Sequence, residues 1–153
     1  MKEKIKPSVI AVCGVKNSGK TTFLCHLVRL FQKRGLLVAV IKHDGHWFEP
    51  DVEGTDSDRL RKAGAAATAV VCDHHFMMVR NRRTSAEWLI EQFSDMDLIL
   101  LEGYKNSPFP NMAFRGKTRR NKTMIKILFI CHGRTEVLPA IRRIMGQNRA
   151  IHR

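Results

Sequence analysis

Long apolar runs are missing from this chain. The longest, Leu36 to Ile41 and Leu98 to Leu101, fall far short of the ~20 residues that span a bilayer, so no membrane segment is expected. The opening Met1-Lys2-Glu3-Lys4-Ile5-Lys6-Pro7 carries charges but no apolar signal core, which makes the cytoplasm the expected location. Paired cysteines are missing too. Cys13, Cys25, Cys72 and Cys131 form no C-x-x-C pair, and three of them lie in apolar, strand-like runs where a reduced thiol serves as a small buried hydrophobe, so no zinc site is expected. Repeats and low-complexity linkers are also lacking, and 153 residues with 44% hydrophobic content suit a single core.

Acidic residues are scarce in one region only. Residues 105–153 hold 12 Lys and Arg against a single acid, a balance of +11, whereas residues 1–104 hold 15 against 13, a balance of +2. The net charge of +13 is therefore a property of the tail, which points to a solvated segment that attracts nucleic acid only nonspecifically.

What is present is a glycine-bounded loop behind an apolar run. Val9-Ile10-Ala11-Val12-Cys13 leads into Gly14-Val15-Lys16-Asn17-Ser18-Gly19-Lys20-Thr21-Thr22, which fits G-x-x-x-x-G-K-[ST]. Glycines at both ends let successive N–H groups turn inward, making an anion nest at the positive end of the following helix. Lys20 is expected to reach the β- and γ-phosphates of a nucleoside triphosphate, with Thr21 as the protein ligand of Mg²⁺. Phe23, Leu24, Leu27, Val28 and Phe31 recur at helical spacing behind the loop, and Gly35 is a natural stop for that helix.

Alternating segments follow. Leu36 to Ile41 reads as a buried strand; Asp56 or Ser57 caps a short helix to Lys62 that Gly64 closes; Ala67 to Cys72 and Phe76 to Val79 are strand-like. Thr84 and Glu87 form a capping-box pattern opening a helix to about Phe93, and Leu98 to Leu101 is another buried strand. Strands aliphatic on both faces and separated by helices imply an α/β fold with a mostly parallel sheet covered on both sides, its ligand loops at the carboxyl ends of the strands.

Two further groups belong at that edge. Asp97-Leu98-Ile99-Leu100-Leu101-Glu102-Gly103 ends an apolar strand in a carboxylate, so Glu102 is the metal-side acid or else a solvated strand-end residue, while Asp97 caps the preceding turn. Lys42-His43-Asp44-Gly45-His46 follows the second strand, where it either senses the γ-phosphate, contributes to a metal shell, with Asp44 a secondary Mg²⁺ candidate, or is an ordinary polar loop. His74 and His75 are expected to be structural or exposed. No general base and no arginine finger stand out.

Together GVKNSGKTT, VAVIKHDGH, GTDSDRLRKAGAAATAVV and DLILLEGYK resemble the molybdopterin-guanine dinucleotide biosynthesis protein B (MobB) family, over about Ser8 to Lys105. The resemblance implies a P-loop NTPase three-layer α/β/α sandwich that binds GTP and Mg²⁺, with weak GTPase activity. It also implies a homodimer that assists the partner enzyme attaching GMP to molybdopterin. It assigns Gly14 to Thr22 to the phosphates, Thr21 and Glu102 to Mg²⁺, and Lys42, His43 and His46 to the loop facing the ligand; Arg59 and Arg61 either meet an anion or solvate their face. The same loop also serves small-molecule and nucleoside kinases, the alternative function. After Lys105 the resemblance carries only a short strand near Met112 to Arg115. Asn121-Lys122-Thr123-Met124 lacks the aspartate of a guanine-reading motif, which lowers the expected guanine preference.

The expected division is a nucleotide-binding domain over residues 1–123 and a basic C-terminal segment over 124–153, the latter either a last strand and helix or a truncated fusion. Ile127 to Glu136 and Arg142 to Gln147 resemble the opening of a histidine phosphatase domain. In that family an arginine precedes the phosphate-accepting histidine; here Cys131 stands before His132, so no phosphatase activity is assigned.

Overall fold

A computed structural model describes residues 6–16, 18–119 and 122–130, with side chains described as far as Met112. The chain divides into two compact units: one ends at His43 and resumes at Ala86, and the other is Asp44–Ser85.

The first unit is built on a five-stranded sheet. Its strands are β1 (Ser8–Gly14), β2 (Val38–Lys42), β5 (Leu98–Glu102), β6 (Asn111–Arg119) and β7 (Lys122–Ile130), in the order β2-β5-β1-β6-β7. The pairs β2–β5, β5–β1 and β1–β6 are parallel; β7 alone runs antiparallel, against β6. Helix α1 (Lys20–Gln32) returns the chain from β1 to β2, and α3 (Ala86–Gln92) precedes β5.

Alternation along the central strands separates two apolar layers. Ile10 and Val12 of β1 and Leu98 and Leu100 of β5 meet Phe23, Leu24, Leu27 and Phe31 of α1. The intervening Ala11, Cys13, Ile99 and Leu101 face the other way, with Leu89 and Ile90 of α3 and Phe93 packed over them. The ladder pairs Ile10 with Leu100 and Ala11 with Leu101, so like faces line up from strand to strand. This is the expected α/β/α sandwich, and every residue of β5 is buried.

β2 begins two residues after the expected start. The Leu36 N–H bonds to Phe31 O (3.2 Å) and closes the end of α1, while the Leu37 N–H bonds to Asp97 Oδ2 at 2.7 Å. Asp97 thus ties the entry of β2 to that of β5 and does not cap its own preceding turn. α3 starts at Ala86, which leaves Thr84 outside the cap position expected for it. β6 runs on to Arg119, past the short strand expected near Met112 to Arg115, and pairs with β7 along nine residues. The expected C-terminal segment falls partly on β7, and residues 131–153 lie outside the described part.

The second unit holds two strands outside the mostly parallel sheet. β3 (Ala67–Val71) and β4 (Phe76–Arg80) form a separate antiparallel hairpin, with Val71 opposite Phe76 and Ala69 opposite Met78. Beside it α2 (Asp56–Lys62) is capped by Thr55, whose hydroxyl accepts the Asp58 N–H, so neither Asp56 nor Ser57 is the cap; both lie inside the helix. Gly64, at φ +108°, ends the segment as expected. Cys72 lies past the end of β3 and is exposed, not a buried strand thiol.

Asp58 is the buried centre of this unit. Its carboxylate accepts from Arg61 Nη2 (2.7 Å), Lys62 Nζ (2.9 Å) and the Gly54 N–H (3.0 Å). The Lys62 bond, the Gly54 N–H and Arg61 together hold its carboxyl at a pKa of about 2. Arg61 also reaches Glu49 at 2.7 Å, so it is engaged internally, and only Arg59 solvates its face, in a loose pair with Asp56 at 3.6 Å.

Candidate nucleotide site

The start of α1 is left electrically open. Gly19 is its N-cap in the left-handed conformation (φ +87°), no side chain among the described residues caps the helix, and its first turn carries no acid. α2 shows the contrast, with Thr55 capping it and Asp56 and Asp58 in its first turn. An uncapped first turn keeps its N–H groups and the positive end of the helix dipole unanswered by side chains, which is the requirement for receiving an anion.

Gly14 ends β1, Val15 and Lys16 are exposed in the loop, and Lys20, Thr21 and Thr22 occupy the first turn of α1. Asn17 lies outside the described residues. Lys20 Nζ donates to Val15 O at 2.7 Å, across the loop. Ser18 Oγ is shut off from solvent without a hydrogen-bond partner among the described residues, a buried polar group that a phosphate oxygen would satisfy.

The parallel ladder brings the acid alongside. Val12 of β1 and Lys42 of β2 are the register partners of Glu102, at the carboxyl ends of three adjacent strands. Thr21 Oγ1 donates to Glu102 Oε1 at 3.2 Å, joining residues 81 apart in sequence. Glu102 is 8% exposed, so the solvated strand-end reading does not hold. Among the described residues no three His, Cys, Asp or Glu side chains gather around a common point. A hydroxyl and one carboxylate suit Mg²⁺, which keeps several waters and takes its remaining ligands from phosphates. Behind the loop the Cys13 thiol is pushed up by burial, against a hydrogen bond from Asn111 and the charges of Lys105 and Lys20.

The two motifs at the ends of β2 and β5 interlock. The His43 N–H donates to Glu102 O at 2.8 Å, and the rings of His43 and Tyr104 meet edge to face at 5.4 Å. Gly103 lies beneath them at φ +92°, where a Cβ would come within 2.7 Å of His43 O. Position 103 therefore requires glycine both for its conformation and for its space. Of the other residues in that expected cluster, Asp44 Oδ1 accepts the His46 N–H at 3.2 Å within the second unit. Spacing did not reveal the Gly103–His43 seam or the Asp58 centre. The i,i+3 and i,i+4 placement of Arg61 and Lys62 after Asp58 was the available signal for the second.

The profile described as molybdopterin guanine dinucleotide synthesis protein B matches residues 9–130. The chain belongs to this family. It is 37% identical over 109 residues to a probable molybdopterin-guanine dinucleotide biosynthesis adapter protein of Bacillus subtilis, covering 69% of this chain and 63% of that one. It is 36% identical over 105 residues to the molybdopterin-guanine dinucleotide biosynthesis adapter protein of Escherichia coli, covering 64% and 59%. The chain thus spans less than two thirds of the length of these relatives. Among solved structures, Bacillus subtilis MobB superposes with a TM-score of 0.61 at 35% identity, over 69% of this chain and 66% of the other. The family match covers β6 and β7 as well as the loop, so it reaches past the expected limit at Lys105 and takes in the strand part of the segment likened to a phosphatase opening. Among the described residues no helix is long and apolar enough to cross a membrane.

Proposed function

We propose that this chain is a GTP-binding adapter in the synthesis of molybdopterin guanine dinucleotide, with slow Mg²⁺-dependent GTP hydrolysis at most. In this reading it acts as a homodimer beside the enzyme that attaches GMP to molybdopterin. The pathway comes from the names of its relatives. The observation that supports the chemistry is the Thr21–Glu102 contact beside an uncapped helix start. The loop N–H groups and Ser18 Oγ take the phosphate oxygens, Lys20 exchanges Val15 O for the β- and γ-phosphates, and Thr21 and Glu102 hold the metal side. Bound Mg²⁺ would offset phosphate charge as it develops. No group among these is a general base, which suits an adapter better than a fast hydrolase.

The test is binding of GTP, ATP and their diphosphates to the purified chain, with and without Mg²⁺. Lys20→Ala removes charge-assisted contacts worth about 1.5–3 kcal/mol each, so triphosphate affinity falls by roughly 10- to 150-fold. Undiminished affinity with an intact circular dichroism spectrum overturns the phosphate-loop reading.

A further inference from the structure

The tip of the β3–β4 hairpin carries donor groups that the nucleotide site does not use. Cys72-Asp73-His74-His75 is a tight turn closed by the Cys72 N–H to His75 O bond at 2.9 Å. The turn brings Cys72 Sγ and His75 Nδ1 to 3.4 Å from each other, with both side chains exposed. Zn–S of about 2.3 Å and Zn–N of about 2.0–2.1 Å at a tetrahedral angle require donors about 3.5 Å apart. The pair is therefore already at the bite of a tetrahedral chelate. The backbone of His74 and His75 also hydrogen-bonds to the Cys72 sulfur, which holds that thiol below its ordinary pKa. N–H groups directed at a sulfur are the outer-shell support that a metal-bound thiolate needs.

Two ligands fill half of a tetrahedral site. Among the described residues no third His, Cys, Asp or Glu completes it. The surroundings of the turn indicate what does. Val71 and Phe76, paired across the hairpin at the base of the turn, are 77% and 71% exposed, and Met78 follows on the same face at 52%. Apolar side chains left in water beside an incomplete chelate favour burial against a second tip of the same kind. We propose that Cys72 and His75 form a half-site for a thiophilic divalent cation of the zinc class, completed by the same two residues of a second copy of this chain. The resulting Cys₂His₂ set is closed and structural, with no open position for a substrate.

The test is a titration of the reduced, full-length chain with Co²⁺, followed by displacement with Zn²⁺. The expected result is a thiolate-to-cobalt band in the near ultraviolet with visible bands of tetrahedral intensity, saturating at about one ion per two chains. Zn²⁺ removes both. Cys72→Ser and His75→Asn, each at an exposed turn position, abolish the thiolate band, while Cys25→Ser and Cys131→Ser retain it. Absence of the band in the unmodified chain overturns the proposal. So does saturation at about one ion per chain, which means that solvent and not a second copy completes the shell. A band that survives Cys72→Ser, or one lost in Cys25→Ser or Cys131→Ser, places the metal elsewhere and overturns it equally.

Discussion

Replacing Gly103 by alanine tests the seam between the ends of β2 and β5. The added Cβ meets His43 O at 2.7 Å, well inside van der Waals contact, and the obstacle is a main-chain carbonyl that has no rotamer into which to escape. Relief requires shifting the His43 carbonyl, while the N–H on the other side of the same residue is held by Glu102 O at 2.8 Å. Two costs add: about 1–3 kcal/mol for an L-residue at φ +92°, and about 1–3 kcal/mol for overpacking. Gly35 supplies the control in the same unit. It too has a left-handed φ, +78°, but a Cβ there meets nothing within 4 Å, so Gly35→Ala incurs the first cost alone. Urea denaturation followed by circular dichroism should place Gly103→Ala about 1–3 kcal/mol below Gly35→Ala at an unchanged m-value. Equal losses in the two variants would falsify the claim that position 103 is set by the approach of His43.

Three further outcomes follow from the site and the core. Thr21→Ala and Glu102→Gln should weaken nucleotide binding in the presence of Mg²⁺ more than in its absence; equal loss in both, measured by calorimetry, assigns these residues a structural role instead. Asp58, with its folded pKa lowered to about 2, stabilises the second unit above the unfolded carboxylate pKa of about 3.9, and that contribution is lost as pH falls through about 2. An acid titration should therefore show a loss of stability between about pH 4 and pH 2 that is absent in Asp58→Asn, and an identical profile in the variant refutes the linkage. Phe31→Ala, which empties a position 2% exposed between α1 and the sheet, should cost about 3–5 kcal/mol in urea denaturation, and a loss below about 1 kcal/mol means that the layer collapses into the gap.

The β1–loop–α1 unit was legible in the sequence because everything that defines it is local. The glycine spacing, the apolar run before it and the period of Phe23, Leu27 and Phe31 all fall within one stretch of chain. The same holds for β5, whose aliphatic run is buried on both faces. The hairpin was harder to read, since Ala67 to Val71 has the composition of a buried strand although four of its five residues are exposed. Composition reports what a strand can bury, not whether a neighbour arrives to cover it. The Cys72 thiol was misassigned for that reason. Asp97 escaped because its partner, Leu37, lies 60 residues away, and Glu102 and Thr21 were associated by motif order while their contact depends on strand register. Local pattern gave the elements and most candidate residues, and long-range pairing decided their roles.

Glu102 receives two bonds from different directions. Its carboxylate takes the Thr21 hydroxyl, and its carbonyl takes the amide of His43, the last residue before the chain passes into the second unit. That amide is a built-in gauge. It lies one peptide from the crossing point and is secured only by the residue that the loop also engages, so its hydrogen-exchange rate reads how firmly the loop end of the sheet is closed. A single protected amide at His43, followed by deuterium exchange with mass spectrometry or NMR as nucleotide is added, would register tension at the loop without an attached probe, a mutation or an assay of turnover.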